Sequence, residues 1–176
     1  MTSEVTQTDV GTSGYPEGIW PEWVYPYSAG LVGGLLGGAA VSLVGVGYGL
    51  LTGHVWRPIN VVGAVILRDM QGMSGSQLDH FSLLALLIGL IIHAVMSAGV
   101  GLCLAFVLPA LPGRPLYWGL VIGPLLWVGA LVAALPIINP VMVRYVDLLS
   151  FSVAMVAYGV ILGWWIDRTP MIHLDH

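Results

Sequence analysis

Residues 29–53 read AGLVGGLLGGAAVSLVGVGYGLLTG, and no side chain in the stretch is charged at neutral pH. An α-helix rises about 1.5 Å per residue, so a run of this length crosses a hydrocarbon core roughly 30 Å thick. Gly30, Gly34 and Gly38 are four apart, Gly45, Gly49 and Gly53 are four apart, and the step between the sets is seven. Those spacings keep all six on one helical face, which Gly33 and Gly37 widen. Glycine lowers helix propensity. In lipid the compensation is close approach of a second backbone. The first span is therefore expected to offer a flat groove along its whole length, to be covered by span 2, span 3, another copy or a foreign subunit.

The rest of the chain has the same character. Of its 176 residues 57% are hydrophobic and 8% charged, and the mean hydropathy is +0.91. A soluble domain carries about 25% charge. Asp, Glu, Lys and Arg are absent from 23–56, 80–113, 115–143 and 148–166. The fold class that follows is an all-α integral membrane protein, a bundle of four transmembrane helices at about 28–51, 79–108, 116–137 and 147–166. These lie within a helical domain over 27–168, with tails at 1–26 and 169–176.

The N-terminal tail lacks the basic and apolar regions of a signal peptide, so span 1 is expected to be retained. The tail ends in YPEGIWPEWVYPY (15–27), where proline resists helix and aromatic side chains favour the headgroup layer. It is expected to lie extended on the membrane surface. Trp20, Trp23, Tyr25, Tyr27, Trp56, Trp164 and Trp165 are the candidate interface anchors. Between spans 1 and 2, residues 58–70 hold a seven-residue apolar run flanked by Trp56, Arg57, Arg68 and Asp69. They read as one short interfacial or re-entrant helix. Ser76 and Asp79 read as the start signal of span 2.

Span 1 leads into RPIN (57–60) and span 3 into PIINP (136–140), as two tandem helical hairpins would. Gly119 and Gly123 in span 3, and Gly159 and Gly163 in span 4, repeat the glycine signal more weakly. Pro124 and Pro136 are candidate kinks. Arg57, Arg68 and Arg144 fall on one side, Arg114 and Arg168 on the other. The excess of arginine then places the 52–78 and 138–146 connections in the cytoplasm and both termini outside, in a bacterial inner membrane.

Gly89, His93, Ser97 and Gly101 are four apart, which puts an ionisable ring on the small-residue face of span 2. An intramembrane ionisable residue is a functional candidate by default. Three readings compete for His93: a neutral ring hydrogen-bonded to a neighbouring helix, a ligand or proton carrier at an interface, and a haem ligand. His54 and His80 sit at span ends, so a second haem ligand at matching depth would have to come from a partner. Neither a metal-binding spacing nor a catalytic constellation is visible. The chain is thus expected to be a non-enzymatic accessory subunit of a larger membrane complex, in respiratory or photosynthetic electron transfer. It would bind other integral membrane subunits and lipid, not nucleic acid, and no cofactor of its own is expected beyond haem or quinone at a subunit interface. A small oligomeric transporter or channel is the alternative, with His93, Ser97, Ser42 and Asn139 as its thin polar set.

Overall fold

The structure, a computed structural model, describes residues 22–174. Trp20, the remainder of the tail before residue 22, and residues 175–176 lie outside the described residues. Four helices are long and apolar enough to cross a membrane, Tyr27–Thr52, Leu83–Ala110, Pro115–Ile138 and Leu148–Arg168, in close agreement with the four charge-poor runs.

Strand β1 (Trp23–Val24) precedes α1 (Tyr27–Thr52). The helix starts behind Pro26, whose fixed φ ends the extended segment, and stops at Gly53. There φ is +78°, and the following His54 N–H donates to the Gly49 carbonyl at 2.8 Å. A left-handed glycine is the usual helix terminator, because other residues adopt that conformation only with strain. Gly53 is therefore a stop signal and not part of a packing line.

The connection is folded. Helix α2 (Arg57–Gly63), a 3₁₀ turn (Arg68–Gly72) and the single turn α3 (Gly75–Leu78) lead to α4 (Leu83–Val107). The single helix expected over 58–70 is thus cut short at Gly63. The start signal of span 2 is also corrected. Ser82 caps α4, its Oγ accepting from Ala85 N–H at 3.3 Å, while Ser74 and Gln77 form a capping box on α3. Asp79 starts neither helix: it closes the end of α3 through its backbone N–H, and its carboxylate is held by Arg57.

Span 3 is α5 (Pro115–Gly129), a π-helical turn (Ala130–Ala134) and α6 (Leu135–Ile138). Pro136 has no N–H to give the Val132 carbonyl and its ring would press on it. The wider turn ahead of it relieves both problems. A further helix, α7 (Pro140–Tyr145), occupies the 138–146 connection before α8 (Leu148–Arg168). Strand β2 (Ile172–His173) then pairs antiparallel with β1, Trp23 opposite His173. The fold is therefore not purely helical: the end of the N-terminal tail is bound to the C-terminal tail as well as rich in aromatic residues.

The spans pack in the order α4–α1–α8–α5. A third of the apolar stretch of α1 and of α8 is buried, against 17% for α4 and 12% for α5, so α1 and α8 are the inner pair. The first turns of α1 carry two glycine lines, not one. Gly30, Gly34 and Gly38 face α4, where a Cβ would run into Gly101, the Ser97 carbonyl and the Ser97 side chain. Gly33 and Gly37 face Leu162 and Tyr158 of α8. The groove is thus covered from within the chain. On the far side of α8, Gly159 and Gly163 meet Gly119 and the backbone at Leu116. These contacts fall in the half of the bundle nearest the termini, above a core of Ala29, Leu104, Leu108, Leu162 and Ile166.

In the other half α1 and α4 separate and α2 fills the gap. A Cβ on Gly89 would meet Ile59, one on Gly63 would meet Ala85, and one on Gly45 would come no nearer than 4.0 Å to Pro58. Gly49 meets only the neighbouring turn at His54 and Val55. The expectation that Gly45, Gly49 and Gly53 continue the upper line therefore fails, since the helices have already diverged.

Two outcomes test this packing. Gly34→Leu should lower the melting temperature in detergent or prevent accumulation, because a side chain facing backbone costs about 1–3 kcal/mol or more. Gly47→Ala, where a Cβ meets nothing within 4 Å, should be neutral or stabilising by up to ~1 kcal/mol. The start of α8 gives a pH test. Asp147 Oδ1 accepts from Ser150 N–H at 2.7 Å, and that bond holds its carboxyl below the usual carboxylate range. Its stabilising contribution is therefore present above about pH 4 and lost as pH falls through the depressed value. In melting curves between pH 3 and pH 6, Asp147→Asn should flatten part of the acid limb.

Candidate functional site

Polar side chains concentrate at two levels, one inside the bundle and one at the connections. Inside, His93 Nε2 lies 2.8 Å from the Gly38 carbonyl oxygen. A carbonyl only accepts, so Nε2 carries the proton and donates. The approach depends on Gly38, since a larger residue there would occupy the space of Ser97 and the ring. One turn along α4, the Ser97 carbonyl accepts from the Tyr158 hydroxyl at 2.7 Å. Ser97 is 6% exposed and Tyr158 equally buried. The two bonds join α1 to α4 and α4 to α8 at the level where the helices begin to diverge. Each spends a side-chain donor on a backbone oxygen of the neighbouring helix.

At the connections Arg57 grips Asp79 with two parallel bonds, Nε to Oδ1 at 2.9 Å and Nη2 to Oδ2 at 2.6 Å. His54 Nδ1 is 3.0 Å from the same Oδ2. The guanidinium also lies 5.8 Å from the Tyr145 ring centroid. One carboxylate thereby gathers the end of α1, the start of α2, the end of α3 and, through Tyr145, α7. The matching planar forks of Arg and carboxylate make this pair directional as well as strong.

Two asparagines lie below. Asn60, 1% exposed, donates from Nδ2 to the Leu78 and His80 carbonyls at 2.8 and 2.9 Å. Asn139, fully buried, donates to the Val61 carbonyl at 2.7 Å and accepts from Gln71 Nε2 at 2.9 Å. Gln71 Oε1 in turn accepts from Val141 N–H, and Arg68 donates to the Ile138 carbonyl at 2.7 Å. The two connections, 78 residues apart at Asn139 and Val61, are stitched into one layer.

Of the residues singled out in the sequence, Gly30, Gly34, Gly38, Ser97 and Gly101 come together at the α1–α4 contact, and Gly89 lies against α2. Trp23, Tyr25, Tyr27, Trp164 and Trp165 all lie at the terminal end and Trp56 at the other. Trp23 packs on His173, Trp56 on Phe81, and Arg168 stacks 4.3 Å from the Trp164 ring. Tyr25 packs against the core, and partial burial, then the Asp167 carboxylate, raises its hydroxyl above the ordinary tyrosine range.

Tyr158, Asn60 and the Arg57–Asp79 grip have no place among the sequence-predicted site residues. The signals were present: a tyrosine in the middle of span 4, and Asn in both RPIN and PIINP. Among the described residues no group of three His, Cys, Asp or Glu could hold a metal ion. No protein-family model, no curated protein and no solved structure matches the chain.

The stitched layer predicts a strong coupling. Arg57→Ala and Asp79→Ala should each destabilise by about 1–3 kcal/mol, because each strands a half-buried charge. The double variant should cost less than the sum, and additivity in the double-mutant cycle would show that the pair contributes nothing.

Proposed function

We propose that the chain is a structural, non-catalytic subunit of a larger assembly of integral membrane proteins. The observation that carries this reading is how the polar side chains inside the bundle are used. His93 and Tyr158 give their donors to the Gly38 and Ser97 carbonyls. A transport path needs polar groups that exchange partners with a passing solute, and these two are committed to holding helices together. The outer helices α4 and α5, largely uncovered by the rest of the chain, are the faces available to other subunits. An electron-transfer complex is the host proposed from the sequence. A haem on His93 Nε2 would first have to displace the Gly38 carbonyl, so a haem or quinone at a shared interface belongs to the neighbouring subunit in this reading.

The two hairpins α1–α4 and α5–α8 support the proposal of a tandem repeat. Each packs by glycine in the half nearest the termini, and each connection buries an asparagine that donates to backbone. The proposed orientation keeps the Arg57, Arg68 and Arg144 end in the cytoplasm of a bacterial inner membrane.

The separation of α1 and α4 below His93 favours a second reading, a small transporter or channel in which α2 gates the gap. Both readings meet one experiment. The chain, tagged at its C-terminus, is extracted from native membranes in mild detergent and whatever co-purifies is identified. Oxidoreductase subunits in fixed stoichiometry are expected, with no haem absorbance from the chain alone. Protease added outside intact cells should remove the tag. A particle of this chain only would overturn the first reading and favour the second. His93→Gln, which keeps a donor, should leave both assembly and the activity of the complex near wild type. A large loss of activity with assembly intact would make the ring functional.

A further inference from the structure

A cleft of about 270 Å³ opens beside the start of α4, between the α2–α3 connection and the first turn of the span. Its walls include Asn60, Asp69, Met70, Met73, His80 and Phe81. Asn60 is 1% exposed, and its Nδ2 is fixed by two carbonyls, so the amide cannot be flipped without putting oxygen against oxygen. Among the described residues no donor reaches its Oδ1. A buried acceptor left unmatched costs free energy comparable to a lost hydrogen bond, which points to a donor supplied from outside the described residues. Asp69 lines the same cleft and has no ion-pair partner among the described residues. The two arginines of this connection are committed elsewhere, Arg57 to Asp79 and Arg68 to the Ile138 carbonyl.

We propose that this cleft binds a primary ammonium group carried on a short carbon linker. One N–H donates to Asn60 Oδ1, the positive charge faces Asp69, and the attached carbon chain lies along Met70, Met73 and Phe81. A neutral hydroxyl would satisfy Oδ1 and leave the carboxylate unanswered. A hard divalent cation needs about six oxygen ligands, against one amide oxygen and one carboxylate here. The cleft lies where the apolar helix beginning at Leu83 meets the polar connection, the level of lipid headgroups when the four helices span a membrane. An ethanolamine phospholipid has this chemistry, and so does a free amine from solution.

The two sources separate in one set of measurements on the purified full-length chain. In native mass spectrometry from detergent mixed with equal amounts of ethanolamine, choline and glycerol phospholipids, the ethanolamine lipid should be retained roughly tenfold over the choline lipid, which has charge but no N–H. Asp69→Asn removes a charge that holds no ion pair among the described residues, and should weaken retention about fivefold. Met73→Lys, which brings an ammonium of its own into the cleft, should abolish the preference. If no lipid is preferred but ethanolammonium chloride raises the melting temperature saturably in the wild type and not in the two variants, the site takes a soluble amine. Equal retention of ethanolamine and choline lipids with no shift by ethanolammonium would overturn the proposal. So would a preference unchanged in both variants. The assay needs no other subunit, so a chain that co-purifies alone leaves its outcome intact.

Discussion

The rest of the structure depends on the approach of one helix backbone to another without intervening side chains. In lipid, burying apolar side chains between helices gives little net gain, because the surrounding tails are equally apolar. Van der Waals contact of backbone with backbone and a few hydrogen bonds must supply the specificity. At the α1–α4 crossing, Gly30 and Gly34 on one side and Gly101 on the other have no room for a Cβ, and Gly34 lies against the Ser97 carbonyl. That same closeness brings the Gly38 carbonyl within reach of His93 and the Ser97 carbonyl within reach of Tyr158. The intramembrane histidine is then a consequence of the glycines: a ring that could not be buried against a wider helix finds an acceptor where the neighbouring backbone is bare.

Close packing at one end requires a different solution at the other. Two helices that cross tightly diverge beyond the crossing, and a gap between them would need filling by lipid or protein. Here the chain fills it with α2, and the cost of bringing irregular backbone and polar side chains to that depth is offset by pairing. Asn60, Asn139, Gln71 and Arg57 each answer backbone or charge within the layer. Non-helical backbone at such a level is tolerated only where protein surrounds it.

The spans were legible because exclusion of charge from hydrocarbon acts on composition, which survives without knowledge of partners. Boundaries were legible to within a few residues wherever proline or a capping side chain stands at the end, as at Pro26, Pro115 and Asp147. Where a side chain had two uses, the sequence misled. Asp79 has the spacing of a cap but is held by Arg57, and Gly53 has the spacing of a packing face but ends a helix. A helical period gives a face, not the identity of what covers it, so Gly33 and Gly37 read as a broadening of one groove when they serve a second neighbour. The buried asparagines were hidden for a related reason. A polar residue in a connection ordinarily faces water, and only the far partner, Val61 for Asn139, reveals otherwise.

The pairing of Trp23 with His173 also bears on the order in which the molecule can be completed. Helix α1 and α4 are joined by a local hairpin and can dock as soon as both are made. The Gly33–Gly37 face of α1 must wait for α8, the last of the four spans, and β1 must wait longer still for β2. During synthesis the first helix therefore stands half covered until α8 is inserted, and β1 stays unpaired until β2 has been made.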